Sequence, residues 1–391
     1  MTTTVGIIAN PASGKDIRRL VAHGTVFDNQ EKTNIVRRLI LAFLHTGVDR
    51  VLYMPDYHGL VEKAVSGLGS DYRRESRKTL IANANANNSD TCAAKTVCFK
   101  PACDNCQDQT ETWLNTGTVF FRPDPEAPMI VEPVEMTLTA TQNDSRQAAE
   151  IMAALGAGVI LVLGGDGTSR QAAKGAGDTP LLAISTGTNN VFPNMVEATT
   201  AGLAAGAVAA GRAGAEAVYR AKRLLIIKNG EPVDLALVDA VVTQSDFIGS
   251  RAMWDVDQMV EAAFTRGEPD NIGLASIIGK CRPVSPRDPF GAWAVFRPGG
   301  RDVFAPIAPG LFKPVGLAEV SCLSPGLDKP VTRVPSLIAL DGEREVELAE
   351  GDRAAIRLDP HGPLVVDVKA ALAGAVGDGF FTDSAFLNRF N

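Results

Sequence analysis

The residues best suited to chemistry lie in the stretch Gly164-Gly165-Asp166-Gly167-Thr168, directly after an apolar run. The run predicts a buried strand, and the glycines predict a tight turn in which φ can be positive and a ligand can approach the main chain. A carboxylate beside bound phosphates is repelled unless it holds Mg²⁺ or takes a proton from an attacking hydroxyl. Asp166 is therefore a candidate catalytic residue, and the alternative is a tight turn without a ligand.

Two further loops with small or polar residues follow apolar runs, from Asn10 to Asp16 and from Thr186 to Asn190. The carboxyl ends of parallel strands line one crevice, where backbone N–H groups and helix N-termini attract phosphate. An Asn-Asn turn without a ligand is the alternative for the third loop. The candidate nucleotide-binding residues are Asn10, Gly164, Gly165, Gly167, Thr168, Thr188 and Asn189. No metal-ligating residue is assigned.

The common nucleotide-binding motifs are absent. Ala9 and Asp16 stand where a Walker loop has Gly and Ser or Thr, and no Gly-x-Gly-x-x-Gly follows the first strand. Lys15 either contacts phosphate as a point charge or is a solvated surface lysine. Hydride transfer on a dinucleotide-binding domain is therefore disfavoured.

The elements that must position these residues change in character near residue 222. Before it, apolar runs alternate with helical periodicity, which predicts a parallel-sheet α/β domain over residues 1–222. After it, alternating strands separated by Gly, Pro and Asp turns predict a β-rich, β-sandwich-like domain over residues 223–391, with a helix over 247–264. The predicted fold class is thus α/β plus β.

Composition limits the classes of partner. The 391 residues carry a net charge of −7, which disfavours nucleic acid, and the Ala-rich stretch 198–221 is too polar to prefer a bilayer. The first residues lack a signal peptide's basic start and long apolar core. We expect a cytoplasmic protein with a small-molecule substrate and no nucleic-acid or membrane partner, and we expect a homo-oligomer.

A segment over about 78–125 fits neither domain and contains Cys92, Cys98, Cys103 and Cys106. Only the last two cysteines have the spacing of a zinc knuckle, so three alternatives stay open: a reduced surface insertion, a structural zinc site, or disulfides. Cys281 and Cys322 are expected to pack as small apolar residues.

The glycine-rich stretch 164–168 resembles the signature shared by NAD kinases, diacylglycerol kinases and sphingosine kinases. Outside the insertion, the chain looks most like the ATP-NAD kinase-like proteins of the acetoin catabolism protein X family. The stretches that carry this resemblance are GIIANPASGKDIRRLV, LGGDGTSRQAAKG, PLLAISTGTNNVFPN and EPDNIGLASIIG.

The resemblance implies that ATP, with Mg²⁺, binds the three loops and that its γ-phosphoryl group passes to a hydroxyl at the interdomain cleft. In NAD kinases the equivalent of Asp166 activates the ribose hydroxyl, which makes NAD the first expected acceptor. Where those enzymes have an Asn-Glu or Asn-Asp pair, this chain offers Val238-Asp239.

A second resemblance concerns Glu343. Lipid kinases of the superfamily use the glutamate of a Leu-Asp-Gly-Glu stretch as a base, and Leu340 to Glu343 matches that stretch. A plain Asp-Gly hairpin is the alternative. A small polyol or a lipid hydroxyl is therefore a second candidate acceptor, and a nucleotide-binding regulator without turnover is a third hypothesis.

Overall fold

The computed structural model describes residues 2–13, 27–66, 68, 119–121, 129–244 and 256–383. Its helices are α1 (Asn29–His45), α2 (Leu60–Ser66), α3 (Asn143–Ala154), α4 (Asp166–Gly175), α5 (Ala198–Ala209), α6 (Ala275–Cys281) and α7 (Val368–Gly377). Its strands are β1 (Thr4–Ala9), β2 (Arg50–Tyr53), β3 (Val119–Phe121), β4 (Met129–Pro133), β5 (Val159–Gly164), β6 (Leu181–Ser185), β7 (Val218–Arg220), β8 (Arg223–Lys228), β9 (Glu231–Ala236), β10 (Asp239–Thr243), β11 (Met259–Phe264), β12 (Gly291–Ala308), β13 (Leu311–Leu323), β14 (Asp328–Pro330), β15 (Ser336–Leu340), β16 (Glu343–Leu348), β17 (Ala354–Asp359) and β18 (Leu364–Val366).

The first sheet is mostly parallel and has the order β3-β4-β2-β1-β5-β6-β18-β7. Strands β1 and β5 are buried along their whole length, as continuous apolar runs predict for strands covered on both faces. Helices α1, α2, α5 and α7 cover one face, and α3 and α4 cover the other. The predicted parallel-sheet α/β domain is confirmed.

The β-rich region consists of two antiparallel sheets, β13-β12-β11-β10-β15-β16 and β14-β17-β8-β9. Side chains such as Leu224, Trp293 and Ile338 form the core between these sheets. A separate apolar cluster includes Ala183 and Val365 from the first sheet together with Val241 from the second, so it joins the two regions. The expected β-rich C-terminal region is confirmed.

The C-terminal end differs from the predicted division at residue 222. Strand β18 pairs with β6 and β7 in the first sheet, and α7 packs with the helices of that sheet, so this segment does not belong to the β-rich region. A strand of three residues does not show in its sequence which distant partner it will pair with.

Two smaller predictions are wrong. Residues 259–264 of the expected helix form strand β11, while residues 245–255 lie outside the described chain. Because β11 is central in its sheet and buried on both faces, it lacks the alternation that marks a half-buried strand. Cys322 is exposed and Cys281 is only half-buried.

No helix in the described ranges is both long and apolar enough to cross a bilayer.

Candidate functional site

Three of the predicted loops meet at one edge of the first sheet, because β1, β5 and β6 are neighbours there. The Asn10 side chain donates from Nδ2 to Thr168 Oγ1 at 3.0 Å. The Ser13 and Thr186 hydroxyl oxygens lie 3.1 Å apart. Asn10 and Thr168 thus join the loops to one another, and their contacts with a nucleotide stay a prediction. Lys15 and Asp16 lie outside the described residues.

Lys32 holds the first loop in place, a role that the sequence analysis did not predict. It is fully buried in the first turn of α1, and its ammonium group donates to the carbonyl oxygens of Asn10, Pro11 and Ser13 at 2.9, 3.3 and 2.6 Å. Lys32 stands three and four residues before the apolar Ile35 and Val36, on the buried face of the helix. A lysine on an apolar face was therefore the available signal.

Asp166 is the first residue of α4, and its carboxylate is fixed by the loop after β6. Oδ1 accepts hydrogen bonds from the backbone N–H groups of Val191 and Phe192 at 3.0 and 2.7 Å. A negative charge at a helix N-terminus is favourable. Asp166 is half-buried and lies at the sheet edge, as predicted from its place after β5. Its catalytic role stays a prediction.

The three glycines around Asp166 provide space and not a positive φ. The positive-φ glycines of the described chain do not include Gly164, Gly165 or Gly167, so that part of the expectation is wrong. A Cβ added at Gly164 would lie 2.6 Å from the Cβ of Thr168. At Gly165 it would lie 2.8 Å from Asn190 Oδ1, and at Gly167 it would lie 3.2 Å from Glu343 Oε1. These glycines allow neighbouring polar side chains to approach the main chain.

The hairpin between β15 and β16 is firmly attached to its surroundings. Asp341 and Gly342 have φ values of 51° and 81°, as a tight two-residue turn requires. The Asp341 carboxylate accepts hydrogen bonds from the amides of Leu237 and Val238 at 3.0 and 2.8 Å. Its Oδ2 lies 3.7 Å from Nε of Arg170 on α4. Burial raises the pKa of Asp341, whereas Arg170 and the amides act in the opposite direction.

Glu343 reaches the first turn of α4 from this hairpin. Its Oε2 accepts a hydrogen bond from Gln142 Nε2 at 2.8 Å, and Gln142 in turn accepts one from Gln171 at 3.1 Å. Together with the close approach to Gly167, these contacts bring Glu343 to the residue that follows Asp166. Glu343 thus lies against Gly167, the residue next to Asp166. Gln142 and Gln171 carried no signal in the sequence.

The third loop contributes polar atoms that lack a partner. Thr188 Oγ1 and Asn189 Oδ1 are buried, and neither has a hydrogen-bond partner among the described residues. Asn189 Oδ1 would lie 3.1 Å from a Cβ at Gly273, in the β-rich region. Buried polar atoms without partners are rare and call for a ligand or water. They are suited to a polar ligand, and nucleotide binding by these two residues stays a prediction.

The start of α4 is suited to an anion such as phosphate. The N-cap Gly165 makes no side-chain capping bond at the start of α4, which leaves a helix N-terminus suited to an anion. Within the described ranges, no group of three or more His, Cys, Asp or Glu could hold a metal by itself. Asp166 and Glu343 could provide oxygen ligands to a Mg²⁺ ion that arrives with phosphate. The cysteines at 92, 98, 103 and 106 lie outside the described residues.

A parallel α/β sheet whose strand ends carry this motif, followed by a β-rich region, defines a kinase-family protein of the NAD kinase type. Residues 5–213 match the family model described as the ATP-NAD kinase N-terminal domain. Residues 222–361 match the acetoin catabolism protein X C-terminal domain.

The particular family follows from a relative of nearly full length. The chain is 35% identical over 379 residues to acetoin catabolism protein X of Cupriavidus necator, a match that covers 95% of this chain and 92% of that protein. The chain therefore belongs to the acetoin catabolism protein X family, as its sequence motifs had indicated.

Among solved structures, a diacylglycerol kinase from Bacillus anthracis str. Sterne is 14% identical, with a TM-score of 0.35, covering 60% of this chain and 84% of that one. A putative diacylglycerol kinase from the same organism is also 14% identical, with a TM-score of 0.36, and covers 62% of this chain and 87% of that one.

Proposed function

We propose that this protein is an ATP- and Mg²⁺-dependent phosphotransferase that moves the γ-phosphoryl group onto a hydroxyl acceptor bound between the α/β sheet and the β-rich region. The observation that carries the proposal is the approach of Glu343 to Gly167, the residue next to Asp166. This contact brings two carboxylates from distant parts of the sequence to one helix N-terminus, where phosphate binding is favourable.

In the proposed reaction, the acceptor oxygen forms a bond with the γ-phosphorus while the bond to the β-phosphate oxygen breaks, and ADP leaves. The proton of the acceptor hydroxyl passes to a carboxylate, for which Asp166 is the first candidate and Glu343 the second. The amides of Val191 and Phe192 hold the Asp166 carboxylate in a fixed orientation. Bound Mg²⁺ would neutralise phosphate charge. This neutralisation and the positioning of the reactants would together supply most of the rate enhancement.

The three strand-end loops are proposed to hold the nucleotide. The start of α4 offers backbone N–H groups to phosphate, and Thr188 and Asn189 offer buried polar atoms without partners. Lys32 keeps the first loop in place through its three carbonyl contacts. These contacts support nucleotide binding without requiring a Walker loop.

NAD is the first proposed acceptor, by membership of the family and by the match to an NAD kinase domain. A small polyol or lipid hydroxyl is the second, because Val238-Asp239 replaces the expected pair and because Glu343 lies at the site. The amide of Val238 is already bound to Asp341, and Asp239 is buried.

An acceptor screen tests the proposal. Purified protein is incubated with γ-labelled ATP, Mg²⁺ and, in turn, NAD, NADH, diacylglycerol and short diols, and labelled product is separated and counted. We expect product with one class of acceptor, formed about 10²-fold or more slowly by the Asp166→Asn variant. Binding of ATP without transfer to any acceptor would identify a regulator, and transfer that survives loss of both carboxylates would contradict the mechanism.

A further inference from the structure

Arg266 is a buried cation beside the proposed site that the mechanism above does not use. It follows β11, and its side chain is 4% exposed. Its guanidinium lies 4.9 Å from the ring centroid of Phe192, the residue whose amide binds the Asp166 carboxylate. Arg266 therefore contacts, through the ring of Phe192, the loop that fixes the candidate catalytic residue.

Within the residues that the structure describes, the guanidinium of Arg266 has no anionic partner. Its Nε and Nη2 atoms are buried and have no hydrogen-bond partner, and no carboxylate lies within ion-pair distance in the part of the chain that the structure describes. The backbone before Arg266 is held beside the start of β10, because the N–H group of Thr265 donates to the carbonyl oxygen of Val238 at 2.9 Å.

A second buried cation, Lys222, is close enough to Arg266 for the two charges to interact. Lys222 is buried and donates to the carbonyl oxygens of Ser285 and Phe290 at 3.0 and 2.7 Å. Burial, followed by the charge of Arg266, lowers the pKa of Lys222 to about 8, and Asp288 acts in the opposite direction. Arg266 and Lys222 are thus two buried cations whose charges act on each other.

Burying a charge without a partner costs folding free energy, and contact with one aromatic ring offsets only part of that cost. Buried polar groups without partners are rare in folded proteins, and a ligand that supplies the missing partner is one explanation for such a group. Because five N–H donors in a plane match the oxygens of phosphate or carboxylate, the missing partner is an oxyanion.

We propose that Arg266 binds an oxyanion of the acceptor, either a phosphate or a carboxylate, so that the acceptor is a negatively charged alcohol. This inference rests on the proposed kinase function and narrows its substrate class. NAD, which carries a pyrophosphate, meets the requirement. Neutral diols and diacylglycerol do not.

The test compares Arg266→Met with Arg266→Lys and with the control Arg282→Gln. Methionine keeps an apolar side chain against Phe192 and removes the charge, lysine keeps the charge, and the control removes one charge from an exposed arginine. Binding of inorganic pyrophosphate is measured by calorimetry on protein whose proposed nucleotide site is already saturated with a non-hydrolysable ATP analogue and Mg²⁺. We expect Arg266→Met to weaken it at least tenfold, Arg266→Lys to restore part of it, and the control to match the wild type.

Kinetics on glycerol, glycerol 3-phosphate and glycerate then separate the two kinds of oxyanion. We expect Arg266→Met to raise the KM of the charged acceptor that is used and to leave the KM of ATP unchanged. A raised KM for ATP alone would overturn the assignment to the acceptor. Unchanged pyrophosphate binding with a lower melting temperature would also overturn it, because Arg266 would then act only through Phe192. The calorimetric result holds even if no acceptor in the screen is phosphorylated, so failure of the proposed function would be seen separately.

Discussion

Replacing Gly167 with alanine should impair catalysis without harming the fold. The added Cβ would lie 3.2 Å from Oε1 of Glu343, whereas ordinary contacts begin near 3.4 Å, so the carboxylate must move by a few tenths of an ångström. A misplacement of about 1 Å costs roughly 10²-fold in rate, so a shift of this size corresponds to about a fourfold to tenfold loss of kcat. Alanine is preferred over glycine in a helix by up to about 1 kcal/mol, so stability should be equal or higher.

The assay combines phosphoryl-transfer kinetics with urea denaturation, and the control is Gly164→Ala. The control Cβ would lie 2.6 Å from Cβ of Thr168, so overpacking should lower the free energy of unfolding by about 1–3 kcal/mol. The decisive comparison places Gly167→Ala in a Glu343→Ala background, where no further loss of kcat is expected. An equal loss in that background would refute the reasoning, because the alanine would then act independently of Glu343.

The remaining predictions concern buried charges. Lys32→Met leaves three carbonyl oxygens without their donor and should lower the free energy of unfolding by about 2 kcal/mol in urea denaturation; no change would contradict this. Asp341→Asn keeps the turn but removes the buried partner of Arg170, so a loss of about 3 kcal/mol is expected by thermal unfolding, and an unaltered melting temperature would count against it. Burial and Arg266 lower the pKa of Lys222 to about 8 from an ordinary value of 10.5. Between these pH values the unfolded chain holds more protons, so the stability of the wild type relative to Lys222→Met should rise with pH, and a fall with pH would contradict this prediction.

Much of the fold could be predicted because its signals are local. Continuous apolar runs identified β1, β5 and β6, and alternating runs identified the β-rich region. The partner of β18 and the strand character of β11 could not be predicted, because both depend on contacts with distant residues. Burial on both faces of β11 also removes the alternation by which a strand is recognised.

The part of the site that lies at the carboxyl ends of neighbouring strands in the first sheet was predictable. Asp166 and the loops at Asn10 and Asn189 follow neighbouring parallel strands, so their proximity follows from the fold. The contact between Glu343 and Gly167 joins residues far apart in the sequence, and the sequence left a plain hairpin equally open. Arg266 gave no signal, because a lone arginine in a sequence does not show that it will be buried without an anion.

The catalytic role of Asp166 is best tested by the rate of phosphoryl transfer of Asp166→Asn, measured with the acceptor that the wild type uses. Asparagine keeps an oxygen that can accept the amides of Val191 and Phe192, so the melting temperature should stay within a few degrees of the wild type. Loss of the carboxylate should reduce the rate by about 10²-fold or more. A folded variant with the wild-type rate would contradict the account.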